Sequence, residues 1–292
     1  MLTDLAVVLS KRKGKYGPMA DALIKASKKD GFSIRFLGDD LSGFSNIVVF
    51  ENNFSRLSKF IINSDKSAKV GWWMNDLRDP AEMDSRKLPG QIKYIFICNR
   101  HFLKAYRDKF ERLVYFMPQH GHNFPVKPFN NDTGHQIVFI GNFHHPVYHK
   151  NRMEFIRPLM KKYTFRLETG KKVTYSMGSL YRSTPISLSI SPQYSGYTSN
   201  RLYNILSSGG FALSLYYPEI ERQFENGKHL VWFRTVKEAD RLIRFYLKIP
   251  EKRKEVAGNG HLLYTLKHSA SHRVRNMVDI MEGKTEDFYG YL

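Results

Sequence analysis

One cysteine, Cys98, occurs in 292 residues, which excludes an internal disulfide and a cysteine-based zinc site. It sits in the apolar run YIFIC, where a thiol reads as a buried, inert core group. No apolar run approaches the roughly 18 to 20 residues that a membrane span needs. Asp4 interrupts the first apolar stretch in a way a secretory signal would not tolerate. The expectation is a soluble, cytoplasmic protein with no membrane span. Tandem repeats and low-complexity blocks are absent too, so solenoid and fibrous architectures drop out.

Acidic residues are scarce. Against 46 Lys and Arg stand 27 Asp and Glu, a net charge of +19. A basic tail would concentrate that excess, yet up to residue 125 the count is 21 basic to 13 acidic, and beyond it 25 to 14. Both halves carry it, as a surface that meets a polyanion would require.

Hydrophobic residues make up 42% and aromatics 14%, enough for two cores in a chain longer than a typical single domain. Short strand-like runs (DLAVVLS, SIRFLG, NIVVFEN, KVGWWMND, YIFICN, LVYFMP) are interleaved with helical patterns. One helix carries Met19, Ala22, Leu23 and Ala26 inward, another Phe102, Leu103, Tyr106 and Phe110. The alternation breaks at residues 118–135, PQHGHNFPVKPFNNDTGH, a proline- and glycine-rich linker pattern. A second series then begins with QIVFIGN, and its first helix is expected to face Ile156, Leu159, Met160 and Tyr163 inward. Thr235 and Glu238 form a T-x-x-E capping box before a later helix. The fold class is α/β, two Rossmann-like domains facing across a cleft. Their expected extents are 1–125 and 126–282, with 283–292 a tail able to pack back on the first.

Within the second series, SGYTSNRLYNILSSGGFAL combines a cap (Thr198 or Ser199), a short helix with Leu202, Ile205 and Leu206 on its apolar side, and a Gly209-Gly210 stop. A helix start with Arg201 beside it attracts anions. From IVFIGN through Arg152, LYRSTPISLSISP and SNRLYNILSSGGFAL to the late HSASHRVRNMV, residues 137–280 resemble the donor-binding half of GT-B glycosyltransferases, nearest the group 1, CgeB-like set related to the GT4 retaining enzymes. The first half resembles them more loosely, through VGWWMNDLRD and YFMPQHG.

That resemblance implies a nucleotide-sugar donor, a UDP-sugar, held mainly by the second domain, an acceptor held mainly by the first, retention of configuration, and no metal or other cofactor. It implies that Arg201, Arg152 and Lys150 face the donor diphosphate, that Gly141 permits close backbone approach, and that Tyr197, Thr198, Ser199 and Asn200 line the donor. Where the family usually has a glutamate that grips the ribose, this chain has Asn204, a neutral hydrogen-bonding group.

Asp76 is the candidate for orienting or deprotonating the acceptor hydroxyl, although an Asp after a strand is equally a helix cap. Trp72 and Trp73 point to opposite faces of a strand, one into the core; Trp73 is the candidate to stack on a base or sugar. His120 and His122 at the domain junction, and Lys13 and Lys15 in the basic first loop (Lys11, Arg12, Gly14, Gly17), complete the acceptor set. His144, His145 and His149 lack a completing ligand, so no metal site is expected. Charge favours DNA with hydroxymethylated bases as acceptor, as in viral genome modification. A surface or spore polysaccharide, a protein acceptor, and a non-catalytic DNA-binding protein are the alternatives.

Overall fold

The structure is a computed structural model. It describes residues 2–10, 18–59, 62–122, 124, 134–143, 152–170 and 175–291. The first elements are β1 (Leu5–Leu9), α1 (Pro18–Asp30), β2 (Ser33–Phe36), β3 (Asn46–Phe50), α2 (Phe54–Leu57) and β4 (Lys69–Met74). Then come β5 (Ile92–Ile97), α3 (Leu103–Phe110), β6 (Leu113–Phe116), β7 (Ile137–Ile140), α4 (Arg152–Met160) and β8 (Phe165–Glu168). Next are α5 (Tyr175–Ser183), β9 (Ile186–Ser189), α6 (Asn200–Ser208), β10 (Ala212–Leu215) and β11 (Val231–Phe233). The chain closes with α7 (Val236–Lys248), α8 (Pro250–Leu263), a π-helical turn (Tyr264–His268) and α9 (Ala270–Met281).

Two compact units divide the chain, each built on one parallel sheet, as the alternation of strands and helices predicts. The sheet of unit 1 runs β2-β1-β3-β4-β5-β6 and that of unit 2 β11-β10-β9-β7-β8. Central strands such as LAVVL are buried along their whole length, as in a sheet covered on both faces. One core of unit 1 gathers Ile47, Val49, Trp72, Ile95 and Tyr106. Two cores flank the sheet of unit 2, one around Phe139, Leu188 and Ile243, the other around Leu202, Ile205 and Tyr264.

Unit 1 comprises Met1–Gln119, Ser195–Tyr197 and Ala270–Gly290, and unit 2 the remainder. This differs from the division at 125/126 and 282/283. The first boundary moves because Arg273 of α9, fully buried, donates from Nε to the carbonyls of Pro118 and Gln119 at 3.1 Å each. The second moves because α9 packs on α1, β3 and β4, and Arg275 pairs with the buried Asp30. The tail up to Gly290 joins the same unit, where Phe288 meets the Phe116 ring edge-on at 5.7 Å.

One inward expectation fails. Met160 is 41% exposed, because the buried stripe of α4 follows Arg152, Ile156 and Leu159, and Met160 ends the helix beyond it.

Candidate functional site

Each sheet has one crossover where successive connections leave in opposite directions, and ligands of open α/β sheets bind at the carboxyl edge beside it. In unit 2 it lies between β7 and β9. Gly141 follows β7 there. A Cβ at Gly141 would stand 2.3 Å from Nη2 of Arg201, so only glycine lets this guanidinium reach the strand end.

Arg201, in the first turn of α6, donates from Nε to Ile140 O at 2.6 Å and from Nη1 to Ile190 O at 2.9 Å. Arg152, opening α4, donates from Nε to the same Ile190 O at 3.0 Å and from Nη1 to Asn142 O. Both guanidiniums lie over one ring, Phe139, at 4.5 Å for Arg201 and 5.9 Å for Arg152. These printed acceptors are neutral carbonyls, which fix the orientation of both guanidiniums.

The start of α6 joins this cluster. Ser199 holds the cap position (φ −71°, ψ 153°) with no side-chain capping bond; its Oγ instead accepts from Ser191 Oγ at 2.7 Å. At the other end Gly209, with φ 74°, adopts the left-handed conformation and stops the helix as the sequence predicts. Asn200 is half-buried at the first helical position, and Tyr197, 7% exposed, belongs to unit 1.

Two residues expected beside the donor are engaged within unit 2. Thr198 is fully buried, with Oγ1 bonded to the Tyr217 hydroxyl and accepting from Gln223 Nε2 at 3.1 Å. Tyr203 donates to Gln223 Oε1 at 2.6 Å, which completes a buried network that fixes the chain entering α6. Burial pushes the Tyr217 hydroxyl well above the usual phenol range. Asn204 is 2% exposed, and its Oδ1 accepts the backbone N–H of His122 at 2.8 Å. It ties down the segment before β7. Gly121 makes that docking possible, since a Cβ there would lie 2.6 Å from Tyr203 O.

His120 and His122 are buried, not exposed junction residues. His120 Nδ1 lies 2.9 Å from Gly121 O; a carbonyl only accepts, so Nδ1 carries the proton. The His122 ring meets Phe124 edge-on at 5.5 Å. Neither offers an open face to an acceptor.

The carboxyl edge of unit 1 is different in kind. Asp76 follows β4, accepts from Leu77 N at 2.9 Å and pairs with Arg78 at 3.1 Å, with both side chains 43% exposed. Behind it, Asn75 N donates to Asn52 Oδ1 and Gln119 Nε2 to Asn75 O, both at 2.8 Å. Trp73 is corrected: it is fully buried, edge-on to Phe50 at 5.2 Å. It shares its strand face with Gly71, where a Cβ would strike Phe96 at 2.7 Å and Met281 at 3.2 Å, so that face is closed by packing. Cys98 is buried, and desolvation pushes its thiol far above the usual range, in keeping with an inert core group.

Lys13, Lys15 and Lys150, with Lys11, Arg12, His144, His145 and His149, lie outside the described residues. Among the described residues no group of three His, Cys, Asp or Glu could hold a metal ion, and no helix is long and apolar enough to cross a membrane. Sequence reasoning missed the shared Ile190 carbonyl, the Phe139 platform and the Tyr217–Gln223 network. Only the buried position of Arg152 in the helical period hinted at them.

Two parallel α/β units, one carrying paired arginines at its crossover, define a protein of the GT-B fold class. The chain belongs to the glycosyl transferase-like family, whose model matches residues 125–279. Among solved structures it is similar to an alpha-glucosyltransferase in complex with UDP and a 13-mer DNA containing a HMU base. That match has 9% identity, 95% of this chain, 99% of the other, and a TM-score of 0.65. It is also similar to T4 phage beta-glucosyltransferase in complex with its UDP-glucose substrate, with 12% identity, 98% and 99% coverage, and a TM-score of 0.61. A third is Anabaena Alr3699/HepE in complex with UDP-glucose, with 10% identity, 95% and 99% coverage, and a TM-score of 0.52. No curated protein sequence matches the chain.

Proposed function

We propose that this protein is a glycosyltransferase that moves a sugar from a UDP-sugar to a hydroxyl on a hydroxymethylated base of DNA. The observation that carries the reading is the convergence of Arg152 and Arg201 on the Ile190 carbonyl, next to the start of α6. As the sugar departs, negative charge grows on the diphosphate. Preorganised guanidiniums and a helix start stabilise that charge more than the ground state, which lowers the barrier. Gly141 leaves room for the Arg201 guanidinium at the strand end, and Ser199 and Asn200 contribute polar groups beside it. The reaction proceeds with retention and needs no metal or further cofactor, since the arginines supply the positive charge. Lys150 adds to it.

Asp76 orients the acceptor hydroxyl, whose proton passes to the departing diphosphate; its half-exposed carboxylate at a strand end is accessible to a substrate. DNA as acceptor is supported by the net charge of +19 shared by both halves, since each neutralised phosphate releases counterions. It is supported further by similarity to a glucosyltransferase bound to DNA.

Incubating hydroxymethylated duplex DNA with a panel of nucleotide sugars and weighing the nucleosides by mass spectrometry tests donor and acceptor together. A hexose or pentose mass gain on the modified base is expected. No gain with any donor, combined with no rise in melting temperature from millimolar UDP or UDP-sugars, would sink the transferase reading. A gain on a polysaccharide or protein instead would move the acceptor.

A further inference from the structure

The α4–α7 face of unit 2 carries a cationic surface built from other residues than those at the crossover. Along α7, Lys237, Arg241, Arg244 and Lys248 recur at spacings of four, three and four, one stripe about 16 Å long. They stand opposite the buried side formed by Ala239, Ile243 and Tyr246. Beside the stripe, two large apolar side chains face solvent, Phe245 at 46% and Ile249 at 38% exposure. On its other flank, α4 brings an open groove of 580 Å³ lined by Met153, Arg157, Pro158, Met160, Lys161 and Lys162.

The two helices are locked together. Asp240 of α7 accepts from the Tyr163 hydroxyl at 2.7 Å and pairs with Lys162 and Arg244 at 3.1 and 3.0 Å. The remaining cations, Arg157, Lys161, Lys237, Arg241 and Lys248, have no hydrogen-bond or ion-pair partner among the described residues. Acidic groups nearby are engaged: Glu238 accepts from Arg234 N, and Glu255 pairs with Lys252. Glu154 and Glu251 are the exposed carboxylates left on these turns.

Cations alone suit any polyanion. Cations interleaved with exposed Phe, Ile and Met, beside a groove with an apolar floor and a basic rim, suit an anionic bilayer surface. There phosphates meet the stripe while the apolar side chains enter the headgroup–acyl boundary. A nucleic-acid backbone would leave those apolar groups facing water. We infer that the α4–α7 face of unit 2 docks the protein on membranes rich in anionic phospholipid. The inference does not rest on the transferase reading, and its test reads location, not sugar transfer.

The test is flotation of the full-length protein with vesicles of equimolar phosphatidylglycerol and phosphatidylcholine, against phosphatidylcholine alone, at 0.1 M salt. At least tenfold tighter binding to the anionic vesicles is expected. Arg241→Glu with Lys248→Glu should reduce it to the neutral-vesicle level. Phe245→Ser with Met160→Ser should weaken it several-fold. All these side chains are solvent-facing, and circular dichroism with a thermal midpoint checks that the variants fold. Phe245→Trp gives a second readout, a blue shift of its emission on anionic vesicles only. Equal binding to both vesicle types, or binding indifferent to both double variants, overturns the inference. So does the absence of vesicle binding together with loss of duplex-DNA binding in the charge-reversed variant, which would make this face a nucleic-acid surface.

Discussion

The two sheets of this chain have the same parallel architecture and chemically different rims. At the crossover of unit 2, two guanidiniums are aimed by backbone carbonyls and stacked over one phenylalanine. The rim of unit 1 carries the side-chain amides of Asn52 and Gln119, both bonded to the Asn75 backbone, and a half-exposed carboxylate, Asp76. A parallel sheet fixes where side chains gather, while the residues at its strand ends decide the sign of the charge. The first rim suits a group that becomes more negative; the second suits a neutral hydroxyl that must lose a proton.

If that division is right, the largest loss of function comes from the cationic rim. Arg201→Ala should lower kcat by roughly 10²- to 10³-fold, as removing one preorganised donor does, whereas Arg201→Lys retains charge and falls between. Steady-state kinetics with the thermal midpoint recorded alongside separate chemistry from folding, because Arg201 also anchors Ile140 and Ile190. Next, Asp76→Asn should lower kcat by roughly 10²-fold while leaving UDP affinity by calorimetry unchanged. A variant at Asp76 that weakened UDP binding as much as Arg201→Ala would erase the contrast between the rims.

Much of this architecture was legible in the sequence. Strands such as NIVVF and IVFI announce themselves because burial on both faces demands continuous apolar runs, and the Gly209 stop is a local matter of backbone sterics. Arg152, Arg201 and Gly141 could be picked out by position and resemblance, but not their shared acceptor, since Ile190 reaches them only through the fold. The packing of Thr198, Asn204 and Trp73 was hidden for one reason: a polar or aromatic residue near a site looks available until tertiary neighbours are known. Tyr217, the His122 backbone and the Phe50 ring claim them. The place of α9 in unit 1 was hidden likewise, because an amphipathic helix shows that it buries a face without showing against which sheet.

Stability gives a finer test of the same comparison. Gly121→Ala would press a methyl against the Tyr203 carbonyl at 2.6 Å, a backbone atom that cannot swing aside. A loss of about 1 to 3 kcal/mol is expected, together with loosening of the His122 N–H that Asn204 holds, visible as faster amide exchange at that position. Unit 1 contains neither partner, so protection in its central strands should change less than in α6.

The smallest effect is expected at Asp240, which joins α4 to α7. The Tyr163 hydroxyl, then Lys162 and Arg244, hold its carboxyl below the usual carboxylate range. A depressed folded value means the folded state binds its proton more weakly than the unfolded chain does. The stabilisation is therefore present above the unfolded value of about 3.9 and disappears as pH falls through the folded one. Asp240→Asn should cost about 1 kcal/mol at neutral pH, measured by urea unfolding, and the difference from the parent protein should vanish as pH falls through the depressed folded value. Because the Asp240 contacts described here lie within unit 2, the variant should leave amide protection in the strands of unit 1 unchanged. An equal loss of protection in both would mean that the two sheets unfold as one cooperative body, and that the difference between their rims is chemical and not also energetic.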